Sequence, residues 1–222
     1  MKKLAIVILM FFGLTSIASA ELGLKVGVSG QMGVFTADAF ETEASEVSPK
    51  GEAVGVIGYG SIFLEKSLPG ALNRLSVGVD YVPTSLSSET TEDSKLDNTG
   101  TKAENSNSVT NKVQVDFEDL TTFYVSFNLT DNLYIKGGAT SVDVITNENL
   151  GTGSAYGNTS LDGSMYGIGY DRTTDSGMFF RVEGNVMEFD GATLTSTTNA
   201  DNSVKMSELN GASGKISIGK AF

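Results

Sequence analysis

Beyond its first twenty residues the chain alternates. Leu22, Leu24, Val26 and Val28 take turns with Gly23, Lys25, Gly27 and Ser29. Leu75, Val77, Val79 and Tyr81 do the same with Arg74, Ser76, Gly78 and Asp80, and Phe123, Val125, Phe127 and Leu129 with Thr122, Tyr124, Ser126 and Asn128. Tyr166, Ile168 and Tyr170 repeat the pattern, as do Phe180, Val182 and Val186 against Arg181, Glu183 and Asn185. A period of two over this length means β-strands with one apolar face and one polar or very small face. Helical spacing is not sustained anywhere after residue 20. The alternation predicts eight strands, over 22–35, 52–65, 73–83, 113–130, 133–146, 163–173, 177–189 and 204–222. Within 52–65 the run Val54-Gly55-Val56-Ile57-Gly58-Tyr59-Gly60 leaves the facing open.

The connections sort by length. Those at 36–51, 84–112, 147–162 and 190–203 are long and rich in Ser, Thr, Asn and acids. Between them lie short ones, at Pro69-Gly70, Asp131-Asn132 and Thr174-Asp175-Ser176. In an up-and-down antiparallel sheet, strict alternation of long and short puts all the long connections at one end. That is the pattern of a transmembrane β-barrel with long outer loops and short periplasmic turns. The strands starting at Val113 and Val204 exceed the ~9–11 residues a span needs and are expected to project beyond it. On the first of them Val113, Val115 and Phe117 are read as continuing the outward set.

Residues 1–20 carry an address. Met1-Lys2-Lys3 is basic, Leu4 to Leu14 is apolar, and Ala18-Ser19-Ala20 is a small-x-small cleavage site before Glu21. This is a secretory signal peptide, so the mature chain is expected to begin near Glu21 and residues 21–222 to form one barrel domain. The whole chain carries a net charge of −12, and losing Lys2 and Lys3 takes it to −14. That sign argues against a nucleic-acid partner. With no Cys there is no disulfide, thiol nucleophile or Cys-ligated zinc, and with no His the commonest general base and metal ligand are missing. No catalytic, cofactor or metal site is expected. Gly58, Gly60, Gly167 and Gly169 alternate within strands with no helix following, so they do not form a phosphate-binding loop.

The chain closes on Ile216-Ser217-Ile218-Gly219-Lys220-Ala221-Phe222, with Phe222, Ile218 and Ile216 sharing a parity. This resembles the C-terminal signature read by barrel-assembly machinery, although Lys220 stands where that signature usually has a second aromatic. Together with the strands, loops and leader, the mature chain resembles the small eight-stranded outer-membrane barrels of Gram-negative bacteria: the OmpA transmembrane domain, OmpX, OmpW and opacity-type proteins. The resemblance implies an all-β, eight-stranded antiparallel up-and-down barrel in the cell outer membrane, with Phe222 as its assembly signal. It also implies barrel-assembly machinery and periplasmic chaperones as partners during biogenesis.

In such a barrel Leu24, Val26, Val77, Val79, Phe123, Val125, Phe127, Ile168, Val182, Ile216 and Ile218 face outer-membrane lipid and lipopolysaccharide. Tyr81, Tyr170 and Phe222 are placed at its aromatic girdles. The opposite parity carries Lys25, Arg74, Asp80, Glu118, Lys136, Asp171, Arg181, Glu183 and Lys215. An eight-stranded lumen is just wide enough to be filled by side chains, and buried charge there demands partners. The expected interior network is Lys25, Asp80, Lys136, Arg181, Glu183 and Lys215, with Arg181 and Glu183 pairing, serving structure or gating. The long connections hold thirteen acidic and four basic residues, a surface suited to solvation, to cation bridging of lipopolysaccharide or to an extracellular partner. The leading expectation is a monomeric barrel with a structural and surface-interaction role. A small-solute or ion channel gated by the Arg–carboxylate network is the alternative, and a soluble periplasmic ligand-binding barrel the rival outside the class.

Overall fold

The computed structural model describes residues 22–43, 46–47, 51–96, 108–150 and 155–222. The expected leader, residues 1–20, lies outside them. Twelve strands form one antiparallel sheet: β1 (Leu24–Glu43), β2 (Glu46–Val47), β3 (Gly51–Ser67), β4 (Leu75–Tyr81), β5 (Leu86–Ser87), β6 (Thr91–Leu96), β7 (Ser108–Asn128), β8 (Leu133–Leu150), β9 (Thr159–Thr173), β10 (Met178–Phe189), β11 (Ala192–Thr195) and β12 (Ser203–Ala221). Eight of them close a ring in the order β1-β3-β4-β7-β8-β9-β10-β12, and β12 returns to β1. The eight ring strands are those the alternation predicts. The other four extend the wall at the long-loop end.

Side chains sort inside out. Ile216 and Ile218 on β12, Ile168 on β9, Val182 on β10, and Val77, Phe123, Val125 and Phe127 on β4 and β7 are exposed outside, while Leu24, Val26 and Val79 share their side and are half-exposed. Val54 and Val56 settle the open facing of β3: its even positions point out and Tyr59, Ser61, Phe63 and Glu65 point in. From Val26 to Val34 the outward set of β1 covers nine residues. At ~3.3 Å per residue and a tilt of ~40°, that spans roughly the ~25 Å apolar band of a membrane barrel. A closed ring leaves no edge for that band to waste on hydrocarbon.

Inward glycines make room in the lumen. A Cβ on Gly78 would sit 2.4 Å from the Tyr124 ring, and one on Gly169 would sit 2.3 Å from the Tyr134 ring. Each ring lies where a neighbouring strand presents no side chain.

Above the band the polarity reverts. Leu161, Met165, Met187, Phe189 and Leu209 turn inward into an apolar cluster with Val82, Leu86, Leu120, Val142 and Val144, while Asp162, Glu188 and Glu208 face out. This upper storey is larger than the sequence suggests. β1 runs on to Glu43, β8 to Leu150, and β7 begins at Ser108. A wall with water outside needs polar outward residues, so segments such as Thr36–Thr42 read as loop. A bulge in β7, where the register shifts between Glu118 and Thr121 around Asp119 at φ 54°, reverses its parity. Val115 and Phe117 therefore pack against the apolar cluster instead of continuing the outward set. The same bulge corrects two further expectations. Glu118 is exposed, and Tyr81 is buried with its hydroxyl donating to Asp119 Oδ1 at 2.5 Å, not set in a girdle. Arg74 is exposed at a short turn, donating to Leu129 O at 2.7 Å, and takes no part in the lumen.

Candidate functional site

The lumen of the lower storey is built from the inward positions of all eight ring strands, β1, β3, β4, β7, β8, β9, β10 and β12. Arg181 is its hub. Nη1 donates to Glu65 Oε2 at 3.0 Å and Nη2 to Glu65 Oε1 at 3.0 Å, a bidentate pair of the strong, planar kind. Nη2 also reaches Asp171 Oδ2 at 3.1 Å, and Asp171 pairs with Lys25. The guanidinium lies 5.0–5.6 Å from the ring centroids of Tyr134, Phe63 and Phe179, so aromatic carbon surrounds it while both Nη groups are hydrogen-bonded and Nε has no partner among the described residues.

One layer further along, Lys136 Nζ meets Glu183 Oε1 at 2.6 Å, and Tyr134 donates its hydroxyl to the same oxygen at 2.7 Å. Lys215 pairs with Asp80. Tyr124 donates to Glu65 Oε2 at 3.1 Å, tying the two layers together. Four cations, Lys25, Lys136, Arg181 and Lys215, thus face four carboxylates, Glu65, Asp80, Asp171 and Glu183. Charge balance and bonding geometry are what make burial tolerable.

The structure brings together all six residues expected in the network but changes who pairs with whom. Arg181 and Glu183 do not pair. Two apart on one strand, their side chains point the same way, ~7 Å apart along it, and each finds its partner on another strand. Asp171, read as inward, bridges Lys25 and Arg181. Glu65 was missed because the facing of 52–65 stayed open. The signal available was that Ile62 and Leu64 flank the parity of Phe63 and Glu65. Just beyond the lattice, Tyr59 Oη, Ser61 Oγ, Asn185 Oδ1 and Ser213 Oγ are buried without a partner among the described residues. Above them the apolar cluster fills the ring. The described residues hold no group of three or more acids suited to a metal.

At the short-turn end Phe222 is half-exposed and its backbone closes on Leu24, with N–H to Leu24 O at 2.7 Å. Lys220 reaches across to the Ser176 carbonyl, a use for the position where the assembly signature usually has an aromatic.

No family model matches the chain, and no curated protein matches it. Among solved structures it is similar to Ail, the attachment invasion locus protein of Yersinia pestis, at 11% identity over 85% of this chain and 98% of that one, with a TM-score of 0.36. It is similar to Neisserial surface protein A at 12% identity over 87% and 97%, TM-score 0.37. It is also similar to the outer membrane protease OmpT of Escherichia coli at 10% identity over 93% and 99%, TM-score 0.43. The closed ring, the apolar exterior, the ion-paired lumen and the connections sorted by length make this chain an eight-stranded, up-and-down antiparallel β-barrel of transmembrane form.

Proposed function

We propose that the chain is an outer-membrane barrel with a structural and surface-interaction role, anchored by its lower storey and presenting its acidic upper storey to the outside. The observation that carries this reading is the sealed lumen. Among the described residues the interior is crossed by a balanced set of ion pairs and then filled by apolar side chains, which favours an anchor over a pore. The short turns then lie in the periplasm, lipid and lipopolysaccharide surround the band, and the chain works as a monomer. Phe222, with Ile218 and Ile216, serves as the signal by which assembly machinery and periplasmic chaperones handle the chain. No catalytic role and no cofactor is proposed.

Two measurements test it. Outer-membrane fractions run unboiled and boiled on a denaturing gel are expected to show a heat-dependent mobility shift. Recovery in the soluble periplasm would overturn the reading. In planar bilayers the purified barrel is expected to give no discrete conductance. Steps abolished by Arg181→Ala would instead establish the gated channel.

A further inference from the structure

Four cations stand outside the lattice at the short-turn end of the barrel. Lys66 on β3, Arg172 on β9 and Lys220 on β12 are exposed and share the outward parity of Leu64, Tyr170 and Ile218. Each is the last outward residue of its strand. Beside them in register lie residues of the lipid band: Leu24 and Val77 for Lys66, Phe180 for Arg172, Val26 and Met178 for Lys220. Arg74, just ahead of β4, places its guanidinium 5.4 Å from the ring centroid of Phe127, which is exposed on the outer face. In ring order the four form an arc that runs from β4 through the closure of β1 on β12 to β9.

The arc's charge is not matched within the protein. Lys66 donates to Leu22 O, Arg74 to Leu129 O at 2.7 Å and Lys220 to Ser176 O, all neutral carbonyls. Among the described residues none of the four meets a carboxylate, whereas each lattice cation does, as does Lys112 of the upper storey with Glu92 Oε1 at 2.6 Å. Asp131 and Asp175 lie at this end too, but on the turns, past the strand ends. At the far edge of the band the sign reverses, with Asp162, Glu188 and Glu208 facing out on β9, β10 and β12. A long cationic side chain at such a boundary lays its stem on apolar surface and carries its head to the level of lipid phosphates.

We propose that this arc is a binding surface for anionic phospholipid headgroups of the phosphatidylglycerol type, gathered around the short-turn rim. Lys66, Arg74, Arg172 and Lys220 supply the charge that the headgroups neutralise, and the acidic outer face at the opposite edge repels the same headgroups. The barrel thereby tells one leaflet from the other. An acidic protein fits the arc less well, because Lys66, Arg172 and Lys220 spring from the wall, among residues that acyl chains cover, and not from the turn tips. The proposal rests on the barrel reading above and adds to it which lipid the anchor selects and where.

Spin-labelled lipids test it. In phosphatidylcholine vesicles holding the purified barrel, phosphatidylglycerol and phosphatidylcholine labelled at the same acyl carbon are compared by the fraction that the protein immobilises. Phosphatidylglycerol is expected to be preferred by about threefold or more at low salt, and the ratio to fall toward unity in ~1 M salt, where the Debye length is ~3 Å. The combined substitution Lys66→Gln, Arg172→Gln and Lys220→Gln is expected to bring the low-salt ratio toward unity as well, while Lys112→Gln leaves it unchanged. Equal immobilisation of the two lipids by the unsubstituted protein overturns the proposal and leaves the arc to an acidic protein. A preference that outlasts either the salt or the triple substitution also overturns it, and the salt arm needs no variant to fold. Any of these results with the heat-dependent gel shift intact leaves the barrel reading standing, whereas loss of that shift from the unsubstituted protein removes the barrel itself.

Discussion

The two storeys of the barrel share strands but obey opposite rules. Along β10, Arg181, Glu183 and Asn185 point in while Phe180, Val182 and Val186 point out. Two residues further on, Met187 and Phe189 point in and Glu188 points out. Backbone and parity are continuous; only the surrounding solvent changes. In hydrocarbon the outside gains nothing by being covered, so apolar residues stay there and the lumen is held by charge-assisted hydrogen bonds and aromatic faces. In water the same ring becomes an ordinary small core, driven by burial of apolar surface. The lower storey depends on each charge keeping its partner, and the upper on volume being filled.

That contrast can be tested by substitution, and the largest effect is expected at the hub. Arg181→Ala strands Glu65 and leaves Asp171 with Lys25 alone, costing about 3–5 kcal/mol in urea unfolding from lipid vesicles. A loss below about 1 kcal/mol would mean that the lattice is decoration. Leu161→Ala, at a position 2% exposed in the upper storey, is expected to cost about 3 kcal/mol through the cavity it leaves. It should do so by loosening the upper wall, read as faster amide exchange in β9 and β10 beyond the band, with the heat-dependent gel shift retained. Uniform loss of protection in both storeys would show that they unfold as one. Val182→Lys puts a charge on the lipid side and is expected to cost about 2–4 kcal/mol. Glu188→Lys, six residues along the same strand and on the same outward side, is expected to change stability by less than about 0.5 kcal/mol. If those two substitutions cost the same, the boundary between the storeys is misplaced.

How much of this was legible in the sequence follows from the same contrast. Ring strands were readable because the lipid band writes apolar residues at every second position, and Lys25, Lys136, Arg181, Glu183 and Lys215 stand out against that rhythm. Their partners were not readable, since parity says which side a residue faces but not which strand lies across the lumen. Glu65 was hidden by the glycines of Val54–Gly60, which blur both faces at once. The upper storey was mistaken for loops where Thr36, Asp38 and Thr42 face water, and the parity of Val115 and Phe117 was lost to one extra residue at the β7 bulge. Nothing in local pattern marks a bulge that a left-handed aspartate creates.

The junction of β1 with β12 has a consequence for how the barrel comes into being. Ser217 donates to Ser29 across a sequence separation of 188, and every rung of that ladder is comparably distant in sequence. Contacts of such separation are slow to form, because a long loop must be closed before any of them repays its entropy. Until the final strand is available the band residues of all the earlier ones remain bare, and the polypeptide is a row of greasy edges without a ring. The interval between synthesis and closure is therefore its most hazardous moment, and the one at which a holding factor would matter most.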